Sequence, residues 1–222
     1  KGIKQGLPVG KSATADDIIE QNFYHDLSPA EKEVLWRLSV LSSFTKRMAA
    51  AVLDNSELYD AFEMLISKSV FFVFHESGHT YRLRNILRDY IYERALIDRV
   101  DFTEVYRKSG QWLLADGQYS KAFECLYRAG ELEEILSILN QDTQNDKGIW
   151  SSGNIRQVFE KAGKELCYQY PFAYLKYLLA CAMDRKRNYI PRVKLCLDRL
   201  EEYCRGSECR DEMREMVLGE IC

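Results

Sequence analysis

Val70-Phe71-Phe72-Val73-Phe74-His75-Glu76-Ser77-Gly78-His79-Thr80-Tyr81-Arg82-Leu83 is the stretch that decides the fold. Its first five residues are β-branched or aromatic, a composition that suits a pleated, half-buried strand. Ser77-Gly78 supplies a two-residue turn, and Thr80–Leu83 alternates as a returning strand does. Closing a hairpin on that turn sets Phe74 opposite Tyr81 and Phe72 opposite Leu83, with all four expected on one buried face. In the same register His75 faces Thr80 and Glu76 faces His79.

Helices are expected on the N-terminal side of this hairpin. Ser28-Pro29-Ala30-Glu31 is the clearest start signal in the chain. Ser28 can cap free amides, Pro29 fits the first helical position, and Glu31 completes a capping box. Val34, Leu35, Leu38 and Leu41 give that helix an apolar face. A helix over about 15–25 precedes it, carrying Ile18, Ile19, Phe23 and Tyr24 at helical spacing. Further helices follow over about 45–53 and 57–69, separated by Asn55-Ser56. Three short helices closed by a hairpin is the plan of a winged helix, and the module is expected to cover 16–96.

From about 85 onward every segment reads as helix. Ile86, Leu87, Tyr90 and Ile91 make one stripe, and Phe102, Val105, Tyr106, Trp112 and Leu113 another, ending near Asp116-Gly117. A return helix with Ala122, Phe123, Leu126 and Tyr127 stops at Gly130, and a short helix holds Ile135, Leu136, Ile138 and Leu139. Residues 140–153 form a polar, glycine-containing loop. Helices are expected near 154–168, 171–185, 190–204 and 208–221, with Pro171 again suiting a helix start. Helices of this length on short turns suggest a tetratricopeptide-like α-solenoid of helical hairpins over 97–222. The fold class is therefore mostly α: a winged-helix module with one β-hairpin, then the helical repeats.

Composition narrows the functions. The 222 residues are 46% hydrophobic and 29% charged with a formal net charge of −3, which is no electrostatic footprint for nucleic acid. No apolar run reaches the ~18 residues a membrane span needs, and no signal-peptide pattern opens the chain. Gly2, Gly6, Pro8 and Gly10 mark 1–15 as a linker from a preceding domain, so the chain reads as a fragment of a longer protein. The seven cysteines all lie in the second half at helical spacings, without a CxxC pair. They read as reduced core thiols of a cytoplasmic protein rather than a disulfide framework. Cys204 and Cys209 lack further well-spaced ligands for zinc.

Two motifs imitate catalytic ones. His75–His79 spells H-E-x-x-H, the zinc-protease signature, which needs both histidines on one face of a helix. Here it holds the turn of a hairpin, where alternate side chains point to opposite faces. Gly6-Leu7-Pro8-Val9-Gly10-Lys11-Ser12 resembles a phosphate-binding loop but is one residue short, with Gln5 where the first glycine belongs, and no strand precedes it. No catalytic residue and no metal ligand is assigned.

A winged helix raises the question of DNA. Residues 28–96 hold nine Lys/Arg and nine Asp/Glu. The helix that would enter a groove carries Glu57, Asp60 and Glu63 against Lys68, and phosphate repels such a surface. The module is expected not to bind duplex DNA. Arg185-Lys186-Arg187 complements a helix C-terminus. The series Tyr168, Tyr170, Phe172, Tyr174 and Tyr177 reads as packing between hairpins, and Arg82, Arg84 and Arg88 as a solvated basic face with an anion site as the alternative.

The order of these features resembles the middle of MalT-type regulators, LuxR-family activators of the signal-transducing NTPase class. The residues that carry the resemblance are LSPAEKEVLWRLSVLSSF (27–44), AFEMLISKSVFFV (61–73), YRLRNILRDYIYERA (81–95) and YRKSGQWLLADGQYSKAFECLYRAGELEEILSIL (106–139). Pro171–Met183 is similar to a later repeat helix. The resemblance implies a nucleotide-binding domain before this segment, a winged-helix arm and helical-repeat sensor within it, and a DNA-binding domain after it. It implies ATP or ADP for the parent protein and no cofactor in this segment. The expected partners are the preceding domain in cis, a small-molecule or protein inducer, and a second copy on activation.

Where the family has His-Pro after the wing, this chain has Arg84-Asn85. In related proteins a winged-helix histidine touches nucleotide phosphate, so the resemblance implies that contact for Arg84. Trp112, Tyr127, Tyr174 and Tyr177 are the candidate sensor-groove residues. The competing readings are a helical-repeat adaptor that binds a protein partner and, more distantly, a zinc metalloprotease.

Overall fold

The computed structural model describes residues 14–68, 70–142, 150, 155–183, 190–206, 214, 215 and 217. They are mostly helical, with one two-stranded antiparallel sheet in the winged-helix region. The chain divides into two compact units, 1–101 and 102–222.

In the first unit each early helix starts on a polar cap. The Thr14 hydroxyl accepts the Asp17 N–H at 3.2 Å and opens α1 (Ala15–Ile19), which runs on as a π-helical turn over Glu20–Tyr24. For α2 (Pro29–Ser39) the predicted capping box is present: Ser28 Oγ accepts the Glu31 N–H at 3.2 Å and the Glu31 carboxylate accepts the Ser28 N–H at 2.9 Å. Thr45 caps α3 (Lys46–Leu53), and Asn55 caps α4 (Ser56–Ser67). These oxygens satisfy amides that a helix start leaves free. The inward faces meet: Val34, Leu35 and Leu38 of α2 are buried with Met48 and Val52 of α3 and Phe62 and Leu65 of α4.

The hairpin forms β1 (Phe72–His75) and β2 (Thr80–Leu83) in the predicted register, Phe72 opposite Leu83, Phe74 opposite Tyr81, His75 opposite Thr80. Two expectations need correction. Glu76–Gly78 forms a 3₁₀ turn closed by a left-handed His79, whose N–H donates to the Glu76 carbonyl at 3.3 Å. Glu76 and His79 are therefore the ends of the turn and not a strand pair. Burial also falls off toward the turn: Phe72 is buried, but Phe74 is 46% exposed, covered only in part by the Tyr81 ring at 4.9 Å.

A third segment joins the hairpin. Phe44 and Tyr81 exchange two backbone hydrogen bonds, 3.0 and 2.7 Å, at the end of the α2–α3 connection. Phe44 is buried and sits 6.0 Å from the Phe62 ring and 5.9 Å from the Phe72 ring, so the same residue ties the sheet to the helices. α5 (Asn85–Ile97) then lies against α2 and α1, with Leu87, Ile91 and Ala95 inward. Its Tyr90 hydroxyl donates to Glu20, and its ring meets Tyr24 edge-on at 5.7 Å.

In the second unit, α6 (Thr103–Ala115) and α7 (Tyr119–Ala129) form a helical hairpin, and α8 (Leu132–Gln141) packs on α7. α10 (Pro171–Met183) packs against α8, α9 (Ile155–Tyr168) and α11 (Ile190–Arg205). Their inward residues, among them Phe123, Leu136, Val158, Phe172 and Leu200, share one core.

The predicted loop over 140–153 begins too early. α8 continues through Gln141, and Asn140 is buried with its Oδ1 accepting the Phe172 and Ala173 N–H groups at 3.0 and 3.1 Å. A distant side chain thus caps α10, the service a local Ser or Asp gives the early helices. Residues 1–13 of the predicted 1–15 linker, the phosphate-loop look-alike, most of the 140–153 loop, Arg185–Arg187 and most of the 208–221 helix lie outside the described residues. The end of that linker, Thr14 and Ala15, instead caps and opens α1. No helix among the described residues is long and apolar enough to cross a membrane.

Candidate functional site

The winged-helix unit offers three faces for chemistry. At the wing tip His75, Glu76 and His79 are all exposed, and β1 and a left-handed turn position hold the two histidines. That backbone cannot place them as a helix would, one turn apart on a single face. No group of three or more His, Cys, Asp or Glu among the described residues is placed to hold a metal ion.

The face of α4 is acidic, as expected. Glu57 and Asp60 are exposed and border a shallow groove whose apolar lining includes Ala30, Ala61 and Met64. Glu63 is engaged elsewhere: the Lys46 ammonium donates to its two oxygens at 2.8 and 2.7 Å. The Lys46 hydrogen bond holds the Glu63 carboxyl below its ordinary value, against burial, which pushes it up. Glu31 is the buried member of another pair, 2.5 Å from Lys68. Burial pushes its carboxyl up, but the hydrogen bonds from Lys68 and Ser28 prevail and hold it below the usual value. Lys46 and Lys68 are thus each paired with a carboxylate of the same unit, and Glu57 and Asp60 are the exposed acidic side chains of α4.

Arg84 stands where the hairpin becomes a helix. It occupies the N-cap position of α5, its Nε–H donates to the Val70 carbonyl at 2.8 Å and its backbone N–H donates to Phe71 at 3.0 Å. The side chain therefore also has a structural post, bracing the strand entry. Arg88 pairs with Asp89 at 3.1 Å, and Arg82 lies opposite Val73 and is half-buried.

A concavity with a volume of about 320 Å³ lies in the second unit among α9, α10 and α11. Its floor is apolar and aromatic: Phe159, Tyr174 and Leu178 are buried, and Tyr177 is half-buried. Phe159 and Tyr177 stack at 4.3 Å and 10°, and Tyr174 lies 17° from the plane of Tyr177. Cys167, Cys181 and Cys196 also line it. Burial, followed by a hydrogen bond to Cys196, pushes the Tyr174 phenol well above its ordinary value. Burial and a bond to Cys181 do the same to Tyr177. Burial raises the Cys167 thiol to about 12, and Cys167 Sγ lies 3.9 Å from the Phe159 carbonyl, which it reaches as donor. The Cys167 thiol is therefore protonated at neutral pH.

The break in α9 lies at the mouth of this cavity. Gly163 has φ 75° and ψ 169°, a backbone state open in practice to glycine alone, and space lies where a Cβ would go. Around it stand Arg156, Glu160 and Lys164; Arg156 and Glu160 pair at 2.7 Å.

Of the four sensor-groove candidates, the structure brings Tyr174 and Tyr177 together in this cavity. Tyr127 packs on the same core with the Lys161 ammonium 4.8 Å from its ring centre, outside the cavity lining. Trp112 is half-buried on α6 and is likewise not part of it. Phe159 and Gly163 are not among the sequence candidates, and the three thiols read there only as core cysteines. An isolated glycine inside an amphipathic helix was the one available signal. None of the five described cysteines is in a disulfide.

Residues 20–101 match the family model of the MalT winged helix domain. No curated protein matches the chain. That stretch is thus a MalT-like winged-helix region, and such a domain is a regulatory, non-catalytic module.

Proposed function

We propose that this chain is the arm-and-sensor segment of a MalT-type, LuxR-family transcriptional activator of the signal-transducing NTPase class. It relays inducer and nucleotide state to a DNA-binding domain elsewhere in the same cytoplasmic protein. The observation that carries this reading is the match of residues 20–101 to the MalT winged helix domain. The acidic α4 supports it: a module that reads DNA needs cations on that helix, whereas one that docks on a neighbouring domain does not.

On this reading the winged helix packs on a preceding ATP- or ADP-binding domain, and the helices after it form the tetratricopeptide-like sensor. Inducer binding shifts an inactive–active equilibrium and exposes surfaces for self-association. Arg84 is assigned the nucleotide phosphate, since a guanidinium grips phosphate oxygens through paired N–H donors.

The gene on either side of this segment tests the reading. A G-x-x-x-x-G-K-[ST] loop upstream and a helix-turn-helix downstream are expected; the absence of both would favour a helical-repeat adaptor. In the full-length protein Arg84→Ala should speed ADP release and raise inducer-free reporter activity. Unchanged ADP retention would remove Arg84 from the scheme.

A further inference from the structure

The cavity among α9, α10 and α11 has the chemistry of a specific ligand class. Its volume of about 320 Å³ lies at the small end of ligand pockets, which run roughly 300–1,000 Å³. Phe159, Tyr174 and Tyr177 hold their planes within 25° of one another, an array that a planar molecule can extend by stacking.

The polar groups of the floor are already engaged with each other. Tyr174 bonds Cys196, and Tyr177 bonds Cys181. A sugar or other hydroxyl-rich ligand would leave its own groups unsatisfied there, which is costly. The floor therefore selects an apolar, flat body.

The rim selects a charge. Arg156 and Glu160 offset each other as an ion pair. Lys164 is exposed, lines the mouth beside Gly163, and has no ion pair among the described residues. A cation with no ion pair among the described residues, at the mouth of an aromatic floor, matches one anionic group on an aromatic ring.

We propose that this cavity binds a compact aromatic carboxylate, with the ring on the Phe159–Tyr174–Tyr177 array and the carboxylate at the Lys164 ammonium. The assignment deepens the sensor reading and rests on it for its regulatory meaning, while the binding itself does not depend on it. Gly163 lines the mouth in a backbone state that glycine alone readily adopts.

The test uses 2-naphthoate and its neutral counterpart 2-naphthamide with the purified chain, read by calorimetry and by the alkylation rate of Cys181 in peptide-resolved mass spectrometry. Naphthoate is expected to bind at one site and to slow alkylation of Cys181, which lines the cavity. Cys181→Trp should fill the space and abolish binding. Lys164→Glu alters an exposed side chain and spares the core; it should weaken naphthoate about fivefold, the scale of an exposed ion pair, and leave naphthamide unchanged. Equal affinity for the two probes would overturn the carboxylate assignment. Absence of saturable binding, or binding without Cys181 protection, would overturn the site. Binding that leaves reporter activity of the full-length protein unmoved would count against the sensor reading alone.

Discussion

Lys68 and Glu31 bring together positions that lie 37 residues apart in sequence, fastening the end of α4 to the start of α2. Glu31 does two jobs, since it also accepts the Ser28 N–H. Its folded-state carboxyl lies below the ordinary value, as does that of Glu63 beside Lys46. A depressed carboxyl contributes stability that is present above its unfolded value, about 4.5, and is lost as pH falls through the lowered folded value. Lys46 has the opposite sign: its value is raised above 10.5 by the Glu63 hydrogen bond, so its contribution fades only in strong alkali. Lys68→Met keeps the aliphatic stem and removes the charge. Because Lys68 is 44% exposed, solvent screening limits the loss to about 1 kcal/mol at neutral pH. Denaturant midpoints of variant and parent should converge as pH falls through the lowered folded value of Glu31, and a gap that persists once the carboxyl is protonated would show that the ion pair is not the cause.

At the scale of elements, what could be read in advance followed local signals. The α2 capping box, the hairpin register and the acidity of α4 all rest on residues close in sequence, so pattern and propensity were enough. What escaped was made by residues far apart. Phe44 pairs with Tyr81 across 37 positions, Asn140 caps α10 from α8, and the wing-tip exposure of Phe74 depends on where the helical layer ends. The cavity escaped for the same reason: Phe159, Tyr177 and Cys196 sit on three helices, and only Gly163 hinted at it. The α4 reading carries a test at its own scale. The chain should leave a short labelled duplex unshifted at micromolar concentration in about 0.15 M salt. Glu57→Lys with Asp60→Lys changes exposed positions only and should introduce weak, salt-sensitive binding. Tight, sequence-selective binding by the unmodified chain would instead return the module to the DNA-reading class.

For the molecule as a whole, the division into 1–101 and 102–222 has a thermodynamic consequence, because buried residues cluster within each unit. Phe44 lies in the first core, in contact with Phe62 and Phe72. Gly110 belongs to the second: a Cβ there would stand 2.7 Å from Leu126, a fully buried side chain, and 3.3 Å from the Ala122 carbonyl. Phe44→Ala should cost about 3–5 kcal/mol through lost burial and a cavity, and Gly110→Ala about 1–3 kcal/mol through overpacking. The tryptophans divide cleanly, Trp36 in the first unit, Trp112 and Trp150 in the second. Urea unfolding followed in a Trp36→Phe background reports the second unit, and in a Trp112→Phe, Trp150→Phe background the first. If the units unfold independently, Phe44→Ala lowers only the Trp36 midpoint and Gly110→Ala only the other. Equal displacement of both probes by either change would mean that the two units unfold as one cooperative body. A relay would then have to work by shifting that body's packing rather than by moving two independently stable parts.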